Sequence, residues 1–306
     1  MIVRWGLDEL AGLLAPYPRR LLVSTERWRA LELPVAERFY GARPHAEVGG
    51  VEAAVGQARE TAADVIVGLG GGSAIDTAKA ASTATGLPLV AVPTTYAGAE
   101  WTPYFGIRDE SRRVKGGGSG ARTVAIVYEP RLTLDLPRGE SGGTAMNALA
   151  HCVEALYVSD SSHAREGAAL IDEWLPRVLD DGHDEEARLR LLEGAMHAGI
   201  ALRDHGLYLG HAMAQALGGR YGLPHGALNA IVLPAAMRFN GVTEPLGIER
   251  VEELARLAGF TRLRELGVPE NELGQVAQDT AVRGGAQANP RPATPEQIEE
   301  LLRSVW

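Results

Sequence analysis

Over the first 140 or so residues the apolar positions cluster in short runs. "RRLLVST", "DVIVGLGGGS", "LPLVAVPTT" and "RTVAIVYEP" are apolar almost throughout. A run without polar alternation predicts a strand covered on both faces, and such strands belong to parallel sheets. Between the first three runs, "GVEAAVGQARETAA" and "AIDTAKAASTATG" have the spacing of helices, so strand and helix alternate as in an open α/β layer. "KGGGSGA", just before the last run, is a loop by composition.

Beyond about residue 140 the period changes to 3.6. "TAMNALAHCVEALYV", "EEARLRLLEGAMHAGIALRD" and "VEELARLAGFTRLREL" read as amphipathic helices, and β-rich runs almost disappear. The expected architecture is a Rossmann-like parallel-sheet nucleotide-binding domain over residues 1–138, followed by an α-helical domain over 139–306. With no low-complexity linker between the halves, a shared cleft is the default place for a ligand.

"VIVGLGGGSAIDTAKA" places Gly71, Gly72 and Ser73 between an apolar strand and a helix carrying Asp76 and Lys79. Amides at that helix N-terminus face an anion, and glycines let a phosphate come close. A strand-to-helix turn requiring positive φ explains the same glycines without a ligand. The string is neither a Walker A loop nor a standard G-x-G-x-x-G unit. A second strand end, "LVAVPTTYAGAE", offers the hydroxyls of Thr94 and Thr95, and ligands of open α/β sheets gather at strand carboxyl ends.

The helical half carries the other chemistry. Asn147 and His151 are four apart on one predicted helix, as are His211 and Gln215 on another, and His225 follows in "GLPHGALNAIVLP". Three histidines and an amide from three segments can converge on a metal, since imidazole suits zinc, iron, copper and nickel. Each can equally be a hydrogen-bonded residue of a helix face. His45, His163, His183, His197 and His205 have no partner at ligand spacing.

Composition narrows the partners. Of 306 residues 45% are hydrophobic, enough for two domains. Thirty Lys plus Arg against 39 Asp plus Glu leave a formal charge of -9, without a basic run to follow nucleic acid. No apolar run reaches the roughly 18 residues of a membrane span. The single Cys152 excludes an intramolecular disulfide, and "MIVRWGLDEL" lacks the core of a leader peptide, so the expected location is cytoplasmic. The expected partner is a small-molecule substrate rather than nucleic acid or membrane, in a homodimer.

"GLGGGSAIDTAKA", "VPTTYAGAE", "NALAHCVEALY", "GHAMAQALGG" and "LPHGALNAIVLP", in this order, resemble the iron-containing alcohol dehydrogenase superfamily, which shares its fold with dehydroquinate synthase. Within it, "PTTYAGAEWTPYFGI", "VKGGG", "YEPRLTLDLP" and "AMNALAHCVEALY" are most similar to the maleylacetate reductases, which reduce maleylacetate to 3-oxoadipate with NADH or NADPH. The resemblance implies that Gly71, Gly72 and Ser73 hold the cofactor pyrophosphate and that Thr94 and Thr95 lie along it. Thr25 stands where many NAD-specific relatives have an aspartate, so NADPH is tolerated. Asp76 and Lys115 join the candidate cofactor set.

The superfamily metal site, for Fe or Zn, is an Asp and three His. His151, His211 and His225 match the histidines, whereas Asn147 replaces the Asp and so removes a negative charge. Maleylacetate reductases generally work without metal, and Asn is typical of them. Two departures remain: Gln215 replaces a histidine, and "PHG" at 224–226 resembles the metal-dependent branch more than the "PHA" common in maleylacetate reductases.

The leading expectation is therefore hydride addition to an activated alkene. His151, His211 and His225 stabilise the enolate, and one of them or Tyr96 delivers the proton. Arg108, Arg112, Arg113 and Lys115 are candidates to meet a dicarboxylate, or form a solvated face. The alternatives are a metal-dependent alcohol dehydrogenase, a dehydroquinate-synthase-like lyase and a non-catalytic relative.

Overall fold

The computed structural model describes residues 1–109 and 114–306. The chain divides into two compact units, Met1–Thr133 and Leu134–Trp306.

The N-terminal unit runs β1 (Ile2–Trp5), α1 (Glu9–Leu14), β2 (Arg20–Val23), β3 (Glu37–Phe39), α2 (Val48–Glu60), β4 (Val65–Gly70), α3 (Gly72–Thr85), β5 (Pro88–Pro93), β6 (Tyr104–Asp109), β7 (Val114–Ser119) and β8 (Arg122–Tyr128). Among the described residues, six strands form one sheet in the order β1-β8-β5-β4-β2-β3, with every neighbouring pair parallel. All six residues of β4 are buried, as a strand covered on both faces requires. One face packs Leu22, Val65, Val67, Val90 and Val127 against Leu10 and Leu14 of α1. The other packs Leu21, Ile66 and Leu89 against Ala54 and Ala58 of α2 and Ala78 and Ala81 of α3. Small residues on those helices let them lie close to the sheet.

The glycine-rich segment before β8 corrects the composition-based expectation of a loop. Its residues 115–119 belong to β7, antiparallel to β6, with Phe105 opposite Gly118 and Ile107 opposite Gly116. A Cβ on Gly118 would come 2.5 Å from the Phe105 ring. The ring lies where a cross-strand side chain would stand, so here absence of side chains permits pairing instead of preventing it.

The C-terminal unit consists of α4 (Arg138–Ala155), α5 (Ser162–Asp180), α6 (Glu185–His205), α7 (Leu209–Tyr221), α8 (His225–Asn240), α9 (Ile248–Leu257), α10 (Leu273–Ala281), α11 (Gly284–Gln287) and α12 (Pro295–Ser304). The long stripe in "VEELARLAGFTRLREL" does not make one helix: α9 ends near Ala258, and Gly259 takes a φ of 92°. Arg188, 1% exposed, fixes the entrance to α4. Its guanidinium donates to Ser141 Oγ at 2.7 Å and to the carbonyls of Gly182, Leu134 and Leu136. Where α4 meets α8, a Cβ on Gly226 would collide with the backbone of Gly143. The glycine in "PHG" is therefore a packing requirement of this helix crossing. No helix among the described residues is long and apolar enough to cross a membrane.

Candidate active site

The N-terminal unit builds a cradle at the carboxyl ends of three neighbouring strands. Gly70 of β4 is in register with Pro93 of β5, and Thr94 N–H donates to Gly70 O at 3.0 Å. This sets the turn at Gly71 to Ser73 beside Thr94 and Thr95. Gly70 has a φ of 140°, which a side chain disfavours. A Cβ on Gly71 would lie 2.9 Å from Thr95 Cγ2, whereas one on Gly72 would meet only Ala97 Cβ, at 3.8 Å. Gly71 thus packs closely inside the turn, and Gly72 borders open space. No side chain caps the start of α3, which leaves its first amides to meet an anion. Ser73 Oγ accepts from His45 N at 2.9 Å, holding the neighbouring loop in place.

Thr25 follows β2 and pairs by an isolated bridge with Gly41. Beside it opens a pocket of about 510 Å³ lined by Glu26, Arg29, Arg38 and Tyr40, among others. The Glu26 carboxylate is neutralised by a two-point contact from Arg29 at 2.7 Å.

Other predicted cofactor residues are engaged in the scaffold. Asp76 accepts from Gly106 N at 3.0 Å and from Lys79 Nζ at 3.2 Å, tying α3 to β6. Lys79, 1% exposed, also donates to Ala99 O at 2.6 Å. A second brace, not foreseen from the sequence, runs from Trp101 Nε1 to Tyr128 Oη at 2.7 Å and from Tyr128 Oη to Glu100 Oε1 at 2.8 Å. Burial pushes the Glu100 carboxyl above its ordinary range. Burial, with Glu100 alongside, pushes the Tyr128 phenol well up. Tyr96 is wholly buried, and Arg108 is 9% exposed. Lys115 stands opposite Arg108 in the backbone register; its side chain, and Arg112 and Arg113 altogether, lie outside the described residues.

The C-terminal unit brings the three histidines together. Asn147 and His151 lie on one face of α4, His211 is in the first turn of α7, and His225 opens α8. The His151 and His211 rings stack at 4.8 Å and 13°, and the His211 and His225 centroids are 5.7 Å apart. Asn147 Oδ1 is 3.3 Å from His211 Nε2, and Asn147 Nδ2 is 3.5 Å from His151 Nε2. Asn229, four residues after His225 on α8, donates to Asn147 Oδ1 at 2.6 Å and reaches His225 Nε2 at 3.0 Å. Two carboxamides therefore link three imidazoles. Burial, with the charges of His211 and His225 nearby, pulls the His151 imidazole well below its usual value. Gln215, also on α7, is half-buried.

Two members of this cluster were missed in the sequence. Asn229 stands to His225 as His151 stands to Asn147, at i, i+4, and that spacing was the available signal. Glu154 continues the face of α4 at i+7 from Asn147 and is wholly buried. It accepts from His211 Nδ1 at 2.8 Å, His211 N at 3.0 Å and Tyr208 N at 2.6 Å.

A divalent ion would meet three imidazoles and the neutral Asn147 amide here. The Glu154 carboxylate, on the same helix as the Asn147 amide, is taken up by His211 and backbone amides. The Nε2 atoms of His151 and His225 each face an amide N–H donor. Among the described residues no three His, Cys, Asp or Glu side chains are arranged to hold a metal.

Comparison with known proteins places both units. The model of the iron-containing alcohol dehydrogenase family matches residues 21–128, and that of the C-terminal part of the Fe-containing alcohol dehydrogenase family matches residues 142–261. The chain belongs to the iron-containing alcohol dehydrogenase family. A maleylacetate reductase of Pseudomonas knackmussii is 36% identical over 338 aligned positions, covering 99% of this chain and 95% of that protein. Crystal structures of maleylacetate reductases from Rhizobium sp. strain MTP-10005 and Agrobacterium tumefaciens are 30% and 29% identical. Both superpose with a TM-score of 0.88 and cover 100% of this chain and 95% of theirs. Membership makes the chain an NAD(P)-dependent oxidoreductase of the maleylacetate reductase-like branch.

Proposed function

We propose that this chain reduces maleylacetate, or a closely related unsaturated dicarboxylate, with NADH or NADPH. The observation that carries this reading is Asn147, whose carboxamide fills the acidic position of the family site and lies 3.5 Å from His151 Nε2 and 3.3 Å from His211 Nε2. A neutral amide network of this kind offers N–H donors to a developing oxyanion. When bound, the nicotinamide cofactor supplies the hydride.

The chain's own groups have separable tasks in this reading. The first amides of α3, opened by Gly72 and Ser73, hold the pyrophosphate, and Thr94 and Thr95 border it. Asp76 serves by keeping α3 and β6 in register, and Lys115 and Arg108 remain candidates from the β6–β7 ribbon. Thr25 carries no charge to oppose a 2′-phosphate, so NADPH is accepted as well as NADH.

His225 is half-buried whereas His151 and His211 are buried, which makes His225 the imidazole nearest to substrate. It stands at the first turn of α8, whose start has no side-chain cap, and the positive end of a helix favours an anionic substrate or enolate. His151 and His211 set the position of the Asn147 amide. The proton for the adjacent carbon comes from His225, with Tyr96 as the other candidate. A homodimer is part of the same proposal, read by light scattering.

Cofactor oxidation with maleylacetate and with small aldehydes, with and without chelator, tests the assignment alongside metal analysis of the purified protein. The expected result is maleylacetate turnover indifferent to chelator. Aldehyde reduction abolished by chelator, with stoichiometric Fe or Zn, would overturn it in favour of a metal-dependent alcohol dehydrogenase.

A further inference from the structure

A carboxylate is costly to bury unless hydrogen bonds replace its hydration. Glu154 is 0% exposed, and its three donors all come from one short stretch: Tyr208 N, His211 N and His211 Nδ1. Two of these are backbone amides at the start of α7, so the carboxylate fixes where that helix begins. The third is the ring itself. Because an ionised carboxylate only accepts, Nδ1 must carry the proton that faces it. Gly210 completes the fit: a Cβ there would stand 2.9 Å from Glu154 Oε1.

We propose that Glu154 is a positioning residue of the reduction, acting through His211. It anchors the backbone that carries His211, sets the ring plane and holds the proton on Nδ1. The ring plane so fixed brings Nε2 to 3.3 Å from Asn147 Oδ1. Asn147 passes this placement on through Asn229 to His225, the imidazole assigned to substrate. Glu154 itself touches none of the reacting atoms in this scheme. Asn147, His151 and Glu154 then occupy i, i+4 and i+7 of one face of α4, so one helix supplies both the amide and its support. The inference rests on the reductase reading of the site, but part of its test is independent of activity.

A double-mutant cycle with Glu154→Gln and His211→Ala, measured on the holoenzyme with maleylacetate, reads the coupling. Glutamine keeps the shape, but its amide NH₂ confronts the donors that the carboxylate satisfied. Glu154→Gln is expected to lower kcat about tenfold or more, the range seen when a ligand's supporting carboxylate is lost, with KM changed much less. In the His211→Ala background the same change should have less than about a twofold effect. An equal loss in both backgrounds, or an unchanged kcat in the single variant, would overturn the proposal.

Nitrogen NMR of the histidine rings supplies a second readout. The wild-type His211 spectrum should show a protonated Nδ1, with this signature lost in Glu154→Gln. Its persistence there would also overturn the proposal. If Glu154→Gln fails to fold, Glu154→Asp carries the test: it should retain the Nδ1 proton and an intermediate kcat, and full loss of that proton would count against the assignment. Failure of wild-type turnover with maleylacetate would refute the substrate reading alone, because the NMR result does not depend on it.

Discussion

Valine at position 72 separates cofactor binding from folding more cleanly than any other change in the glycine turn. Gly72 is the first residue of α3, and an added Cβ meets only Ala97 Cβ at 3.8 Å, an ordinary contact. Its neighbours would mix the two effects, because Gly70 has a φ of 140° and a Cβ on Gly71 would press on Thr95. Removing a helical glycine recovers a few tenths of a kcal/mol of helix propensity, so the melting temperature should stay nearly constant. The branched methyls, however, stand in front of the first amides of α3. A hydrogen bond to a charged group contributes about 1.5–3 kcal/mol. Loss of two such bonds to a pyrophosphate removes about 3–6 kcal/mol of binding, which raises Kd by roughly two to four orders of magnitude at 1.4 kcal/mol per tenfold. Fluorescence titration with NADH, beside a thermal melt of the same sample, measures both quantities. A folded Gly72→Val protein with wild-type NADH affinity would refute the placement of the phosphate on this turn.

Three further outcomes follow from the same geometry. Thr25→Asp places a like charge near a 2′-phosphate, worth about 1–4 kcal/mol at a separation of about 4 Å, so KM for NADPH should rise at least about fivefold with little change for NADH; equal effects on both cofactors would contradict the assignment of position 25. Gly226→Ala forces a Cβ against the Gly143 backbone, so α4 and α8 must separate at a cost of about 1–3 kcal/mol, seen as a lower denaturation midpoint together with reduced kcat; an unchanged midpoint would show that the crossing is looser than described. His197 is held below its ordinary value by burial and by His163, whose Nδ1 lies 2.8 Å from its own, and burial lowers His151 in the same way. Near and below the ordinary histidine value of about 6.5 the unfolded chain binds more protons than the folded one, so stability present above that pH is lost as pH falls toward the folded values. His197→Gln should flatten the fall in melting temperature between about pH 7 and 5, and an unaltered slope would remove His197 as a contributor.

Periodicity made the elements and their class legible, because a buried strand and an amphipathic helix are each dictated by local spacing of apolar residues. The runs ending at Val23, Gly70, Pro93 and Tyr128 became parallel strands, and the 3.6-residue stripes from residue 138 onward became helices. "KGGGSGA" misled, since composition cannot reveal that Phe105 lies across Gly118 from the neighbouring strand. The stripe through "VEELARLAGFTRLREL" likewise hid the break at Gly259, where a left-handed φ ends the helix.

The candidate site divides along the same physical line. Gly71, Gly72, Thr94, Thr95, Asn147, His151, His211 and His225 could be named from the sequence, because each sits at a strand end, a helix start or an i, i+4 pair that local geometry defines. Contacts between segments distant in the chain could not be named in this way. That Asp76 braces β6 was decided only when α3 packed against β6, and that Asn229 joins Asn147 to His225 and Glu154 receives Tyr208 and His211 only when α4, α7 and α8 packed together. Local spacing sets which side chains share a face. Which buried polar group meets which partner is settled by packing, because the cost of leaving either one unsatisfied exists only once water has been excluded.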